Sequence, residues 1–256
     1  MKILSLNIKA FPFIFSIFSS LLKNSSDRMR SIAEIIKHSD YDIIAFQEVW
    51  SHSSYKVLVD ELKELYPYYT KFSGKCKLTF GSGLVIFSKK LFLSVYSEEF
   101  EECRGMEIFA KKGFLAVNII DVGVVINTHL PSGSMWFDPI FGNDKYDTQV
   151  LVKMAIGQIL RYVEDIIPSY KTVYIMGDFN ITYLSEEYSN SLDMFLGNNF
   201  YNSLHSPGYV STVWGEDDKV VDYCFSRNTT VLTNTTNNFG SDIVEHVGLE
   251  ITNETF

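Results

Sequence analysis

Ile175-Met176-Gly177-Asp178-Phe179-Asn180 is the most specific motif in this chain of 256 residues. The apolar run Thr172–Met176 leads into it and reads as a strand. The glycine permits a tight turn, so that the aspartate and the asparagine can project toward the same side. Taken alone, the segment is also an ordinary Asx-rich turn at the end of a strand. It becomes informative because the same pattern recurs along the chain.

Five further segments place a polar side chain at or just past the end of an apolar run. They are Leu6-Asn7-Ile8, Gln47-Glu48-Val49-Trp50, Thr128-His129-Leu130, Val221-Asp222-Tyr223 and Glu245-His246-Val247. Strand ends are where a sheet presents side chains to a ligand. Six apolar runs that all end in a carboxylate, an amide or an imidazole are hard to explain by packing alone. They predict one shared site.

Size and composition predict one large α/β domain over residues 1–256, because no Pro/Ser/Gly-rich linker divides the chain and no internal repeat is visible. The net charge of -9 disfavours sequence-independent binding to nucleic-acid phosphates. It does not exclude a nuclease, since a bound cation can supply positive charge locally. Three cysteines, Cys76, Cys103 and Cys224, lack metal-ligand spacing and indicate a reduced, cytoplasmic compartment.

The N-terminal apolar segment Phe11–Phe18 has some features of a signal peptide. We expect no cleavage after it, because Lys2–Asn7 reads as the first strand and carries Asn7. No apolar run approaches the roughly 20 residues needed to span a bilayer.

Hydrophobic periodicity predicts strands mixed with single helices. The expected strands are Lys2–Asn7, Tyr41–Phe46, Gly83–Ser88, Thr172–Met176, Val220–Phe225 and His246–Ile251, with a hairpin of Phe114–Ile120 and Val122–Thr128. One helix is expected after Ser25 and a second around Tyr55–Leu65. The longest helix runs from about Tyr146 to Ile167, with an apolar stripe of Val150, Leu151, Met154, Ile159, Val163 and Ile166. Strands and helices do not alternate strictly, which favours a two-sheet sandwich with helices on both outer faces.

The order and spacing of the six segments resemble the endonuclease/exonuclease/phosphatase superfamily. Within it, the chain looks most like the neutral sphingomyelinases. That likeness extends over most of the chain and includes Leu65-Tyr66-Pro67-Tyr68, Gly81–Ser88, Lys112-Gly113-Phe114-Leu115, Thr128-His129-Leu130 and Thr148-Gln149-Val150. The resemblance implies a DNase I-like α/β (α+β) fold: a four-layer sandwich of two mixed β-sheets with helices on both outer faces. It also implies metal-dependent hydrolysis of a phosphodiester.

Glu48 and Asn7 are expected to hold the metal ion, together with a third side chain near His246 that is discussed below. Glu48 directly follows an apolar strand, and its segment matches the metal motif of the superfamily. Asn7 would hold the ion or its water through the amide oxygen. In isolation each is better explained as a loop or turn residue. Mg²⁺ is the expected cofactor, with Mn²⁺ as the alternative, because hard cations take oxygen ligands.

The expected general base is His246, since an unperturbed pKa near ~6.5 suits proton transfer. Asp222 would orient its ring and stabilise the imidazolium. His129 would meet the phosphate from the other side and either stabilise the charged transition state or protonate the leaving oxygen. By itself a histidine is more often structural, which is our interpretation of the remaining three, His38, His52 and His205.

Asn180 is expected to donate an amide hydrogen bond to a phosphate oxygen. For Asp178 two roles stay open: it holds the nucleophilic water, or it handles a proton.

One departure from the superfamily concerns the last motif, which is usually Ser-Asp-His. Here Ser241-Asp242 is separated from His246 by Ile243-Val244-Glu245. Either Glu245 replaces the usual aspartate and serves as a metal ligand, or Asp242 reaches in from a longer loop. We favour Glu245, because its segment then runs into the last strand in register.

The expected reaction is cleavage of sphingomyelin to ceramide and phosphocholine. The alternatives are a DNase-like endonuclease or exonuclease, a phosphatase acting on inositol phosphates or nucleotides, and an inactive lipid- or protein-binding domain. Nucleic acid is the less favoured partner, because a nuclease needs a basic groove. In addition, Lys9 stands where abasic-site endonucleases carry an acidic residue.

The aromatic segment Met135–Phe141 follows His129 and would start near the rim of the site. Its Trp136 and Phe137 are expected to contact a membrane interface, where aromatic rings concentrate. The alternative is that these rings cap the core or shape a pocket. Phe11–Phe18 is a weaker candidate of the same kind. We expect a cytoplasmic monomer with peripheral membrane contact.

Overall fold

The computed structural model describes residues 1–10, 25–73, 81–102, 110–132, 148–202, 211–216, 219–236 and 238–253. Several residues named above lie outside these ranges: the segments Phe11–Phe18 and Met135–Phe141 with Trp136 and Phe137, and also Cys76, Cys103 and His205.

The described strands form two mixed six-stranded sheets. The first sheet contains β1 (Lys2–Ala10), β2 (Ile43–Val49), β3 (Tyr68–Tyr69), β4 (Val85–Ser88), β11 (Val231–Thr236) and β12 (Gly248–Asn253), in the order β11-β12-β1-β2-β4-β3. The second contains β5 (Phe92–Glu99), β6 (Gly113–Ile119), β7 (Gly123–His129), β8 (Val173–Asp178), β9 (Tyr201–Asn202) and β10 (Asp222–Arg227), in the order β5-β6-β7-β8-β10-β9.

Helices cover the outer face of each sheet, so the fold has four layers. The helices α1 (Ser25–Lys37) and α2 (His52–Leu62) pack on the first sheet through Met29, Ile32, Ile36, Leu58 and Leu62. The helices α3 (Thr148–Ile166) and α4 (Glu186–Gly197) pack on the second through Ile156, Ile159, Val163 and Phe195. A third apolar cluster lies between the sheets and includes Ile3, Ile43, Val125, Tyr174, Met176 and Cys224. This confirms the predicted sandwich.

The predicted hairpin is confirmed, since β6 and β7 pair antiparallel with Ile119 opposite Gly123. The predicted stripe of the long helix was partly wrong, because Val150, Met154 and Ile166 are exposed. The other three predicted residues, Leu151, Ile159 and Val163, are buried, and the buried face of α3 also includes Val152, Ala155, Ile156, Gln158 and Leu160. Apolar residues occur on more than one side of this helix, so periodicity alone could not identify the face that packs.

Two polar site residues do not end an apolar run as predicted. Asp222 is the first residue of β10, and His246 lies two positions before β12. Both strands enter their sheets antiparallel to a neighbour, β10 against β8 and β12 against β1. In an antiparallel pair the start of one strand lies beside the end of the other. Asp222 and the segment before β12 therefore still reach the edge where β8 and β1 end.

Within the part of the chain that the structure describes, no helix combines the length and apolar composition needed to cross a bilayer.

Candidate active site

Four predicted site residues face the layer between the two sheets at one edge. Side chains alternate between the two faces of a strand. Ile3, Val125, Met176 and Cys224 all face the central layer. On the same four strands, Asn7, His129, Asp178 and Asp222 lie an even number of positions from these residues, so they face the same layer. Asp178 is also opposite both His129 and Asp222 in the sheet register. The alternation of each strand thus directs these polar groups into a common space.

Glu48 reaches this space through an irregular backbone. By strand alternation, Glu48 should face the same side of β2 as Ile44 and Phe46, which pack against the outer helices. Its φ of 60° is left-handed, however, which breaks the strand alternation. The Oε1 atom accepts a hydrogen bond from Asn7 Nδ2 at 2.8 Å, and Oε2 accepts one from Trp50 Nε1 at 3.0 Å. Both carboxylate oxygens are therefore fixed by the protein.

Asp178 lies at the centre of the group. Its Oδ2 accepts a hydrogen bond from Asn7 Nδ2 at 2.9 Å, and Oδ1 accepts one from the backbone N–H of Asn180 at 2.8 Å. The Nε2 atoms of His129 and His246 are each 3.7 Å from Oδ2. Burial raises the pKa of Asp178, the charge of His246 opposes that shift, and Asp222 adds to it. The site thus keeps a buried carboxylate within reach of two imidazoles.

His246 and Asp222 form a direct hydrogen bond, as the predicted general base and its orienting carboxylate would. His246 Nδ1 donates to Asp222 Oδ2 at 2.8 Å, which leaves Nε2 facing Asp178. Burial lowers the pKa of His246, but the charge and hydrogen bond of Asp222 outweigh it. With smaller contributions from Asp178 and Glu48, they raise the pKa to about 10. The backbone around the pair is held by Thr212, whose Oγ1 accepts from the N–H groups of Val221 and Asp222.

His129 is buried at the end of β7, with Nε2 at 3.7 Å from Asp178 Oδ2 and 4.0 Å from Glu48 Oε1. Among the described residues, Nδ1 has no hydrogen-bond partner. Burial lowers the pKa of His129 well below its usual value, and the charges of Lys112 and His246 add to the effect. A neutral imidazole at this position can donate a hydrogen bond or bind a cation. It does not carry a positive charge of its own.

Asn180 follows Asp178 in a left-handed conformation, with φ of 53°. Its N–H caps Asp178, so the local Asx turn that the sequence also allowed is present. Its Nδ2 donates to the carbonyl of Leu130 at 2.8 Å. A primary amide carries two N–H groups, so one further donor remains for a ligand. The predicted contact of Asn180 with a phosphate oxygen stays a prediction.

Glu245 is placed differently from the carboxylates grouped around Asp178. Its carboxylate forms an ion pair with Lys9, and it belongs to neither of the described groups that could hold a metal ion. The alternative residue, Asp242, is exposed. Asn7 does reach the carboxylates, but with its amide nitrogen toward them, while Oδ1 accepts from the N–H of Lys9. The metal-ligand roles of Asn7 and Glu245 stay predictions.

The donor atoms present fit a hard divalent cation. Two groups, Glu48/His129/Asp178 and Asp178/Asp222/His246, each offer ligand atoms within 4.8 Å of one another. Together they place three carboxylates in a poorly solvated space. A cation would offset their mutual repulsion, and carboxylate oxygens suit Mg²⁺ or Mn²⁺.

Sequence reasoning missed Lys112 as a member of the site. This buried lysine donates from Nζ to the carbonyl of Leu130 at 2.9 Å, and its charge acts on both His129 and Asp178. It was noted only as part of a resembling segment, because a lysine beside a glycine reads as an ordinary turn. Trp50 was likewise not assigned, although it holds Glu48. His38 and His52 are exposed and lie outside the described metal-type groups, and the structural role predicted for them stays a prediction.

Comparison with known proteins places these residues in a family. The model of the Endonuclease/Exonuclease/phosphatase family matches residues 4–243. The matched range includes every predicted site residue from Asn7 to Asp222. It stops before Glu245 and His246, where the sequence departs from the usual last motif.

Curated relatives include several sphingomyelinases. The chain is 26% identical over 243 residues to sphingomyelinase C 2 of Leptospira interrogans serogroup Icterohaemorrhagiae serovar Lai, which is 85% of this chain and 35% of that protein. It is 24% identical over 201 residues to sphingomyelinase C of Listeria ivanovii, covering 70% of this chain and 57% of that protein. The chain thus spans between about a third and somewhat over half of the length of these two relatives.

Solved structures show the same fold. The crystal structure of SmcL superposes with a TM-score of 0.82 at 18% identity, covering 99% of both chains. A mutant beta toxin from Staphylococcus aureus, crystallised with bound magnesium ions, gives a TM-score of 0.78 at 18% identity over 99% of both chains. Because the family model matches most of the chain and the curated relatives agree with it, this chain belongs to the Endonuclease/Exonuclease/phosphatase family and is sphingomyelinase-like within it.

Proposed function

We propose that this chain is a Mg²⁺-dependent phosphodiesterase that hydrolyses sphingomyelin to ceramide and phosphocholine. One observation carries the proposal: His246, oriented by Asp222, directs its free Nε2 toward Asp178 at 3.7 Å. That separation is too long for a direct hydrogen bond. A water molecule seated beside the two atoms could hydrogen-bond to both of them, which is the arrangement that base-assisted attack requires.

Each residue of the site has a separate role in the proposed reaction. The pKa of His246 is raised in the metal-free site and would fall beside a bound cation, which leaves Nε2 neutral. This nitrogen takes a proton from the attacking water, and Asp222 stabilises the imidazolium that results. Asp178 holds the water through Oδ2. Asn180 donates its free amide N–H to a phosphate oxygen, and His129 donates to the phosphate or to the leaving oxygen from the opposite side. The bond between phosphorus and the ceramide oxygen breaks, and phosphocholine retains the water oxygen. The ceramide oxygen takes up a proton from solvent, and His246 releases to solvent the proton that it accepted.

Glu48 and Asp178, with Asn7 between them, are the residues that would hold the cation. When bound, Mg²⁺ would neutralise charge on the phosphate and offset the charges of these carboxylates. Mn²⁺ is the alternative ion, since it accepts the same oxygen donors.

The choice of substrate rests on the relatives and on charge. The curated relatives named above are sphingomyelinases, and a net charge of -9 is compatible with a zwitterionic headgroup. The same charge works against long polyanionic substrates such as DNA, because it opposes the non-specific attraction on which nucleases depend.

The decisive experiment is release of phosphocholine from sphingomyelin vesicles, with Mg²⁺ and with EDTA. We expect release only with Mg²⁺, and we expect His246→Ala to lower it by about 10²–10⁴-fold, the usual contribution of a general base. His38→Ala is the matched control, because His38 is exposed and lies outside both described metal-type groups. Cleavage of DNA or of a nucleotide by a preparation that leaves sphingomyelin intact would move the substrate to the nuclease or phosphatase class.

A further inference from the structure

Lys9 stands at an irregular end of β1 and controls the orientation of Asn7. The pairing of β1 with β2 shifts register between Asn7 and Ala10, and Lys9 has a left-handed φ of 43°. This conformation turns the backbone N–H of Lys9 toward Asn7 Oδ1, to which it donates at 3.1 Å. With its oxygen engaged in this way, Asn7 presents Nδ2 to both Glu48 and Asp178.

The side chain of Lys9 reaches the other half of the site. Its ammonium forms an ion pair with Glu245, the residue that directly precedes His246. The two side chains are 29% and 33% exposed, so the pair is partly shielded from water. Partial burial makes such a contact stronger than an open surface pair, whose contribution is typically small.

Arg28 hydrogen-bonds to both the end of β1 and the segment before His246. This buried residue of α1 donates from Nη2 to the carbonyl of Ile8 and from Nε to the carbonyl of Ile243, both at 2.8 Å. Ile8 lies between Asn7 and Lys9, and Ile243 lies three positions before His246. Burial lowers the pKa of Arg28, and the charge of Glu245 counteracts that shift. A buried guanidinium is retained only where such partners satisfy it.

The segment 240–247, here called the base segment, has little structure of its own. It is a turn in which the N–H groups of Ile243 and Val244 donate to the carbonyl of Gly240. On one side it is held by backbone hydrogen bonds with Thr212 and Trp214. On the other side, the contacts described above come from Lys9 and Arg28.

We propose that Lys9, Arg28 and Glu245 form a clamp that fixes the base segment, and with it His246, against the end of β1 that carries Asn7. In this assignment Glu245 is a positioning residue and not a metal ligand. The clamp thus joins the end of β1, next to Asn7 and Glu48, to the segment that carries His246. The inference rests on the proposed function only for the chemical role of His246. The mechanical role of the clamp is independent of the substrate.

The first test uses Lys9→Met and Glu245→Gln on a soluble phosphodiester, bis(p-nitrophenyl) phosphate, with Mn²⁺ affinity measured by calorimetry. We expect each variant to lower kcat about tenfold, as for the loss of other orienting partners. KM and Mn²⁺ affinity should stay within about twofold, because neither substrate nor ion loses a contact. The double variant should be no worse than either single one, since both remove the same interaction.

A charge exchange sharpens this test. Lys9→Glu and Glu245→Lys should each impair kcat, and their combination should recover most of it, because the pair is restored with reversed polarity. If Glu245→Gln weakens Mn²⁺ binding about tenfold or more while Lys9→Met leaves it unchanged, Glu245 is a metal ligand and the clamp is overturned. Failure of the exchanged pair to recover, with both proteins folded, also counts against it.

The second test does not depend on activity. Hydrogen exchange of peptides covering residues 240–247 should accelerate in Lys9→Met and in Arg28→Lys, which keeps the charge but loses one of the two carbonyl contacts. Exchange in β8 should not change. Lys2→Met is the matched control: Lys2 lies on the same strand, is 26% exposed and pairs with Asp40 and Glu250 at the other end. If wild-type protein hydrolyses no phosphodiester yet exchange responds as stated, the proposed function fails and the clamp stands. Unchanged exchange of residues 240–247 in both variants would overturn the proposed clamp.

Discussion

At the scale of single residues, the site depends on backbone conformations that few side chains adopt readily. Glu48, Asn180 and Lys9 all have positive φ angles. For residues other than glycine this conformation carries strain of order 1–3 kcal/mol, and it persists where the surrounding structure enforces it. At Glu48 it turns a side chain that strand alternation assigns to the outer face back toward Asn7. The strain therefore serves the assembly of the site.

Glu48→Gln should raise the Mg²⁺ concentration needed for half-maximal hydrolysis, or remove activity. The amide retains the shape of the side chain, and its one oxygen can accept from either Asn7 or Trp50, but it lacks the charge that holds a hard cation. A Mg²⁺ titration of phosphodiester hydrolysis measures the change. Glu64→Gln, at an exposed glutamate after α2, is the control. An unaltered Mg²⁺ requirement would show that Glu48 is not a ligand.

The His246–Asp222 pair should make stability depend on pH in metal-free buffer. The folded pKa of His246 is raised from 6.5 to about 10. The folded state therefore holds a proton that the unfolded state has released, and the stabilisation is complete below about pH 6.5 and lost by about pH 10. Urea unfolding in EDTA at pH 6 and at higher pH should show this fall in the free energy of unfolding. Asp222→Asn should show a smaller fall. Equal falls in the two proteins would contradict the pairing.

At the scale of elements, the contact between β7 and β8 decides where the site forms. Gly177 pairs with Thr128 in this parallel ladder, one position before Asp178 and His129 face each other. Its φ is +143°, and a Cβ placed on it would lie 1.9 Å from the carbonyl oxygen of Thr128. The glycine of the motif is thus required by the close approach of two backbones as well as by the turn after it.

Gly177→Ala should destabilise the protein by more than about 1 kcal/mol, because neither the conformation nor the space admits a methyl group. Gly197→Ala is the matched control. This glycine ends α4, and a Cβ added to it would meet no atom of the described residues within 4 Å, so alanine should be neutral or slightly stabilising there. Thermal unfolding of the two variants measures the contrast. Equal stability would show that β7 and β8 can separate without loss.

Element prediction succeeded where one face of a segment was clearly apolar. The strands before Asn7, Glu48 and Asp178 and the helix beginning at Ser25 all formed, although β1 continues to Ala10 and β2 to Val49. The helix α4 and the edge strand β5 were not predicted. The residues of β5 are mostly exposed, so they carry little of the alternation that identifies a strand. In α4, Tyr188, Ser191 and Phe195 are buried, a set too sparse to stand out in sequence.

At the scale of the whole molecule, the two sheets are joined by buried polar contacts beneath the site. Asn127 of β7 accepts from Gln47 Nε2 at 2.7 Å and donates to the carbonyl of Phe46 at 2.8 Å, so it bridges to β2. Since each sheet contributes part of the site, the relative position of the sheets decides whether Glu48 and Asn7 meet Asp178. These amide contacts hold that position more specifically than apolar packing does.

The aromatic segment after β7 should matter more for vesicles than for dispersed substrate. Trp136→Ala combined with Phe137→Ala is expected to lower hydrolysis of sphingomyelin in vesicles several-fold more than hydrolysis in detergent micelles, because interfacial aromatic rings favour membrane contact. Tyr201→Ala is the control. Tyr201 is 64% exposed and lies on β9 beside Ser226, toward the end of β10 that is opposite Asp222. Equal loss on both substrates would indicate a pocket role for the two rings.

The sequence by itself determined the two-sheet architecture and predicted which polar side chains gather at one edge of it. Each apolar run that ends in Asn7, Glu48, His129 or Asp178 indicates both a buried strand and the polar residue at its end. Only the tertiary structure decided how the side chains are used. The register of β8 against β7 and β10 brings His129, Asp178 and Asp222 together, and the pairing of Glu245 with Lys9 joins residues 236 positions apart. Lys112 is likewise part of the site through a tertiary contact, its hydrogen bond to the carbonyl of Leu130. Contacts of this kind depend on how two sheets stack and where strands leave their alternation, and neither is encoded in the local pattern of a segment.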